Sequence, residues 1–409
     1  MTTMPMNLDC QTSKREKKLE PLTYLPDRLL SARLLLDLTQ EQLGSAAQIE
    51  QSLVSMIETH QRPFTTESAE TFARVMGLPV TFFTARPRSI PFDSLLFRKH
   101  KGSSNRVTQR TRVHFQEIFR VAEDLLEGTG YPTPPLPVIQ DAEDVLDTDR
   151  IEKIAAMVRE SLRLDGEAPV PNMTRVLERW GFVVVPIILP SSNPQPANLK
   201  PGHFGVSFWA GMGLPGLIGY FPGSSADRDR FTLAHELGHA VLHSNRTSSD
   251  PENEANRFAG AFLLPWKRAR ALLSEASTLS QLASIKAEWG ISIQALVMRG
   301  SQGGFFSSER ARSLYRQISS RGWRLNEPVE VVAESPKLFL RLLKNRFGPD
   351  PFKNPEIERE TALPLMVLRS AAPSNQVSPR NDGLSDRARD VVSLESKRKS
   401  NEIRSLAER

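Results

Sequence analysis

The run Arg230-Phe231-Thr232-Leu233-Ala234-His235-Glu236-Leu237-Gly238-His239-Ala240-Val241-Leu242-His243 restricts most strongly what this chain can become. It reads as a helix, and on a helix His235 and His239 lie one turn apart on the same face. Two imidazole nitrogens at that spacing can converge on one metal ion, as His-Glu-x-x-His helices do. Glu236 lies about 100° round from His235. That is beside such an ion, where a general base would polarise a metal-bound water.

A metal bound this way needs a third protein ligand. His243 is a poor candidate: at about 1.5 Å rise per residue it sits about 12 Å along the axis from His235. That is too far to share an ion held at about 2 Å. His243 is expected behind the ligands or at the helix end. Downstream, Ala255, Phe258, Ala259, Phe262 and Leu263 recur at helical spacing and define a buried face. Glu252 falls about 50° from the centre of that face and Glu254 about 110° away. A carboxylate turned toward a core at a helix start is costly unless a charge meets it there. Two histidines holding a metal would supply that charge. The alternative is that Glu252 only favours the helix N-terminus through the dipole. Asn256, one turn after Glu252, could hold a ligand from behind by a hydrogen bond.

His235-Glu236-Leu237-Gly238-His239, the upstream Arg230-Phe231-Thr232-Leu233-Ala234, and Glu252-x-x-Ala255-Asn256-x-Phe258-Ala259 with Leu263-Leu264-Pro265 together resemble the ImmA/IrrE metallopeptidases. The resemblance implies Zn²⁺ on His235, His239 and Glu252, with Glu236 as catalytic base. It also implies a zincin-like peptidase fold and a protein substrate, a transcriptional repressor. Both halves of the motif are intact.

The length of 409 residues allows two or three domains. A formal charge of +6 permits nucleic-acid binding without demanding it. Cys10 is the only cysteine, which excludes an internal disulfide or a thiolate zinc cluster. The first residues carry Lys14, Arg15, Lys17 and Lys18 with no apolar stretch after them, and no membrane span is visible, so a cytoplasmic protein is expected.

From Leu25 the chain reads as short helices joined by tight turns. Thr39-Gln40-Glu41-Gln42 forms a capping box, and a break near Gln48-Ile49 precedes a helix through Glu58. Residues Leu38 to Pro63 are similar, without a gap, to the Cro/cI-type (XRE) DNA-binding family. That resemblance implies that Gln40, Gln51, Ser52 and Ser55 face double-stranded DNA, with Gln51 reading a base edge. Such domains often dimerise. The chain departs from the pattern at Glu50, where a capping Ser or Thr is usual, and at His60, where Gly is common. No Lys or Arg lies between Thr39 and Gln61, so phosphate attraction must come from Arg28, Arg33, Arg62 or elsewhere. A helical domain that binds protein instead fits the same residues.

Arg98, Lys99, His100, Lys101, Arg106, Arg110 and Arg112 make a basic stretch that could follow phosphates or be a solvated linker. An amphipathic helix is expected over 116–127, and the Pro-rich stretch from Tyr131 to Val138 marks a boundary. Strands are expected at 182–188, 203–208 and 216–221, with the loop 193–202 bordering the cleft. Residues 279–299 suggest two further helices about a tight turn, a second DNA-binding unit or, better, a packing or substrate-recognition module. Gly322-Trp323-Arg324-Leu325-Asn326-Glu327-Pro328 also resembles the ImmA/IrrE family, without assignable chemistry.

The expected fold is α+β, mostly α. A disordered N-terminus (1–23) precedes an all-α helix-turn-helix domain (24–86) and a basic, helical linker (87–150). A zinc metallopeptidase domain with a small sheet (151–266), a helical C-terminal region (267–370) and a disordered tail (371–409) follow. The function expected is a zinc-dependent endopeptidase that regulates transcription by cleaving a repressor, coupled to DNA binding. The alternative is a regulator or interaction protein whose zinc site is structural or sensory.

Overall fold

The computed structural model describes residues 23–87, 90, 105–189, 205–209, 211, 213–223 and 225–373. Sixteen α-helices and three strands form among them, the mostly helical α+β architecture that the periodicity predicted. The expected loop 193–202, the cluster Arg98 to Lys101, the N-terminus to Pro21 and the tail from Ser374 lie outside the described residues.

Four short helices come first: α1 (Pro26–Leu35), α2 (Gln40–Ala47), α3 (Gln51–Glu58) and α4 (Thr66–Met76). The capping box forms as read. The Gln42 N–H donates to the Thr39 hydroxyl, and the Gln42 side-chain oxygen accepts from the Thr39 N–H. Gln48 ends α2 in the left-handed region (φ 56°), and α3 starts at Gln51 after a turn of three residues. Glu50 gives α3 no side-chain cap. Leu29, Leu35, Leu43, Val54, Ile57 and Phe72 close the core between them.

Helix α5 (Asn105–Leu126) begins well before the expected start at Gln116. Arg106 and Arg110 both ion-pair with Asp37 at the end of α1, so part of the basic stretch is engaged within the chain. The helix buries Phe115, Ile118, Phe119 and Val121 in the same core as α1 to α4. The segment expected to be a linker is therefore partly core. Arg28 is fully buried, forms a two-pronged ion pair with Glu117 of α5, and stacks 3.9 Å above the Phe82 ring.

Helices α6 (Thr148–Ser161) and α7 (Met173–Arg179) start at the side-chain caps Asp147 and Asn172. The sheet follows with β1 (Phe182–Pro186), β2 (Gly205–Trp209) and β3 (Gly216–Tyr220), in the order β1-β3-β2. β1 runs parallel to β3, and β2 antiparallel to it. All three strands are buried on both faces. Val183, Val185, Val206, Phe208 and Leu217 join the core of α1 to α5, whereas Phe182, Val184, Trp209, Ile218 and Tyr220 face a second core. The period-two alternation of strands makes the sheet a wall shared by both.

The second core contains α8 (Ala226–Leu242), α9 (Pro251–Leu263), α10 (Trp266–Leu272), α11 (Leu279–Trp289), α12 (Ile293–Gln302) and α13 (Ser308–Ser320). Helix α12 buries Ile293, Leu296 and Val297, and its Arg299 is held by Glu152 and the Leu264 carbonyl. The last helices, α14 (Leu338–Phe347), α15 (Ile357–Thr361) and α16 (Leu365–Ala371), return to the first core. No described helix is long and apolar enough to cross a membrane.

Candidate metal centre

Helices α8 and α9 pack against each other and bring the two halves of the motif together. Gly238 makes the close approach possible: a Cβ there would lie 2.9 Å from the Phe258 ring. One donor atom from each of His235, His239 and Glu252 lies within 4.8 Å of the others. The two Nε2 atoms are 3.0 Å apart, and Glu252 oxygens lie 3.4 Å from His239 Nε2 and 3.6 Å from His235 Nε2. Both imidazoles are buried, while the Glu252 side chain is 36% exposed.

What lies behind the rings decides how they can be used. Asn256 Oδ1 is 3.1 Å from His235 Nδ1, and an amide oxygen accepts, so that nitrogen carries the hydrogen. His239 Nδ1 faces His243 Nδ1 at 3.0 Å. With hydrogens on the two Nδ1 atoms, two Nε2 lone pairs and a carboxylate are directed at one point. That arrangement is repulsive without a cation and is a fitting donor set for a divalent metal.

Glu236, next to His235 in α8, packs against the start of β2. It is buried, and the Ser207 hydroxyl donates to its Oε2 at 2.9 Å. Gly205 is the contact surface: a Cβ there would sit 2.2 Å from Glu236 Cγ. Neither Ser207 nor Gly205 was identified from sequence. The available signal is a hydroxyl in an otherwise apolar strand, Val206-Ser207-Phe208, two elements before the His-Glu-x-x-His helix.

Helical phase puts Glu254 further from the buried face than Glu252, yet Glu254 is 1% exposed. Helical phase locates a residue relative to the apolar stripe of α9 alone. The flank on which Glu254 projects is covered by residues 143–146 and by the turn after α8. Leu146 N–H donates to Glu254 Oε1 at 2.6 Å, His243 Nε2 lies 2.7 Å from Oε2, and Arg246 pairs with it. Burial pushes this carboxyl up. Hydrogen bonds from His243, the Leu146 backbone, Ser248 and Arg246 outweigh it and hold the group at about 2.

Residues 204–301 match the model of the IrrE N-terminal-like domain, Peptidase_M78. The matched span encloses β2, Glu236, the cluster His235, His239 and Glu252, and most of α12. The Peptidase_M78 match supports the ImmA/IrrE family and a metallopeptidase of that type. No curated protein matches the chain.

The residues expected to face DNA lie outside this span. Gln40 Nε2 donates to Glu58 Oε2 at 2.8 Å and Gln51 Nε2 donates to Gln40 Oε1 at 2.7 Å, so the two glutamines are bound to each other. Gln51, Ser52 and Arg62 are exposed, and Ser55 is half-buried. Two of the cations offered for phosphate contact are unsuited to it. Arg28 is interior, and Arg33 is clamped on Glu58 by two hydrogen bonds, 2.8 and 2.9 Å.

Proposed function

We propose that the chain is a zinc-dependent peptidase of protein substrates, with zinc held by His235, His239 and Glu252 and Glu236 as the general base. The observation that carries this is the convergence of two Nε2 atoms and one carboxylate beside a separate, buried, hydrogen-bonded Glu236. Two imidazoles and one carboxylate are a donor set that suits zinc in catalytic sites. A structural site has no use for a neighbouring base. When bound, the metal supplies Lewis acidity to a peptide carbonyl and to water. Glu236 takes the proton from the attacking water and returns it to the leaving amine. Ser207 keeps the carboxylate oriented during both transfers.

Glu236→Gln should retain one zinc per chain and lose peptide-bond cleavage by about 10²–10⁴-fold. Full activity in that variant would exclude this role.

The N-terminal four-helix unit would address the peptidase to its target, a repressor at or near an operator. The capping box on α2 and the three-residue turn into α3 support a helix-turn-helix reading. A second reading, in which the unit docks protein, is favoured by charge. Residues 24–86 hold Arg28, Arg33, Arg62, Arg74 and Arg86 and no lysine, against Asp27, Asp37, Glu41, Glu50, Glu58, Glu67 and Glu70. Operator binding that weakens steeply with salt supports DNA contact. Salt-insensitive binding to a repressor alone supports protein docking.

A further inference from the structure

We propose that His243, Glu254 and Arg246 form a positioning relay that sets the tautomer of His239 and so presents its Nε2 to the metal. The relay rests on the reading that His235, His239 and Glu252 hold that metal.

The hydrogen inventory runs in one direction. Glu254 accepts from the Leu146 N–H and from the Arg246 guanidinium, and a carboxylate paired with arginine is an acceptor only. The His243 Nε2 that lies 2.7 Å from it must therefore donate. The two facing Nδ1 atoms, 3.0 Å apart, can share only one hydrogen, so one ring donates and the other accepts; a metal on His239 Nε2 makes His239 the donor. A neutral His243 with hydrogen on Nε2 has its lone pair on Nδ1. The group 3.0 Å from that lone pair is His239 Nδ1, which must then be the donor. His239 is left with a lone pair on Nε2, the atom facing His235 Nε2 and Glu252.

The far end is fixed as firmly as the near end. Arg246 also donates to the carbonyls of Asp144 at 2.8 Å and Glu143 at 3.1 Å. The last turn of α8 is thus tied through Glu254 to the segment that leads into α6. Two four-residue spacings, His235 to His239 and His239 to His243, then serve two tasks: the first pair ligates, and the third ring orients the second.

The test uses the full chain and Zn²⁺ competed with a chromophoric chelator. His243→Phe keeps the ring shape and should weaken Zn²⁺ binding about 10–100-fold, the usual effect of losing a hydrogen bond behind a ligand. Glu254→Gln should weaken it in the same direction. The double variant should be no weaker than His243→Phe, because a serial relay is broken only once. Folded single variants that bind as tightly as wild type would overturn the relay, and so would a double penalty equal to the product of the singles. Imidazole ¹⁵N shifts in the metal-free wild type give a second, independent reading. His243 protonated at Nε2 and bare at Nδ1 supports the relay; the opposite tautomer or an imidazolium overturns it. A wild type that takes up no Zn²⁺ overturns the metal reading itself, and the tautomer measurement still decides the relay.

Discussion

Gly205 is the smallest residue on which the proposed chemistry depends. Its missing side chain is the space in which Glu236 lies, and an added Cβ would come within 2.2 to 2.5 Å of three side-chain atoms of that glutamate. The base cannot retreat, since it is buried and bonded to Ser207. Gly205→Ala should therefore reduce cleavage by about 100-fold or more while zinc content stays at the wild-type level. Peptide-cleavage rates beside metal analysis would check this; parallel loss of metal would show that the ligand cluster, and not the base, had moved. At this scale the sequence was informative about residue type and spacing. His235, His239, Glu236 and Glu252 were all nameable from two short patterns, because helical geometry alone relates residues three and four apart. Glu254 was misplaced because its partners Arg246, His243 and Leu146 come from three other segments.

Among the elements, the segment between α13 and α14 shows how a motif without chemistry can still be structural. Glu327 accepts from the Ile293 N–H at 2.7 Å and the Gln294 N–H at 3.1 Å, and so caps α12 from outside the helix. It also pairs with buried Lys286, which Asp227 at the start of α8 holds from the other side. Glu334 does the same for α7, accepting from the Met173 and Thr174 N–H groups and pairing with Arg230. Glu327 and Glu334 thus fasten α8 to its neighbours α7, α11 and α12. Glu327→Ala should destabilise the protein by about 2–4 kcal/mol, combining a lost cap with a buried lysine left half-paired. Glu327→Gln should lose less, since its amide oxygen can still cap. Urea unfolding of the two variants would separate them.

On the scale of the whole molecule, two cores meet at one sheet. Arg28 of α1, Glu117 and Arg120 of α5, and the Thr361 carbonyl of α15 form one buried chain of contacts on the side away from the metal. His114 lies on the same helix, 1% exposed, and among the described residues neither ring nitrogen has a hydrogen-bond partner. Burial, helped by Arg110 and opposed by Glu117, lowers its pKa to about 4. A histidine kept neutral by folding lets the unfolded chain take up the proton first. Stability is thus lost as pH falls through about 6.5 and levels off below about 4. Between pH 7 and pH 5 this group should cost about 2 kcal/mol. His114→Phe should flatten the fall in the urea midpoint across that interval; an unchanged slope would place the titration elsewhere.

Local periodicity by itself determined the helix of His235 and His239, the position of Glu236 beside it, the capping box at Thr39 and the three strands before the metal helix. Each depends on residues a few positions apart, where backbone geometry fixes the relation. The tertiary structure alone decided that Glu254 would be interior and that Gly205 and Ser207 would hold the base. It alone brought the segment 105–126 into the first core and withdrew Arg28, Arg33 and Arg110 from solvent. Those outcomes depend on which distant surface covers a given flank, and a buried charge is stable only where another segment brings its counter-charge.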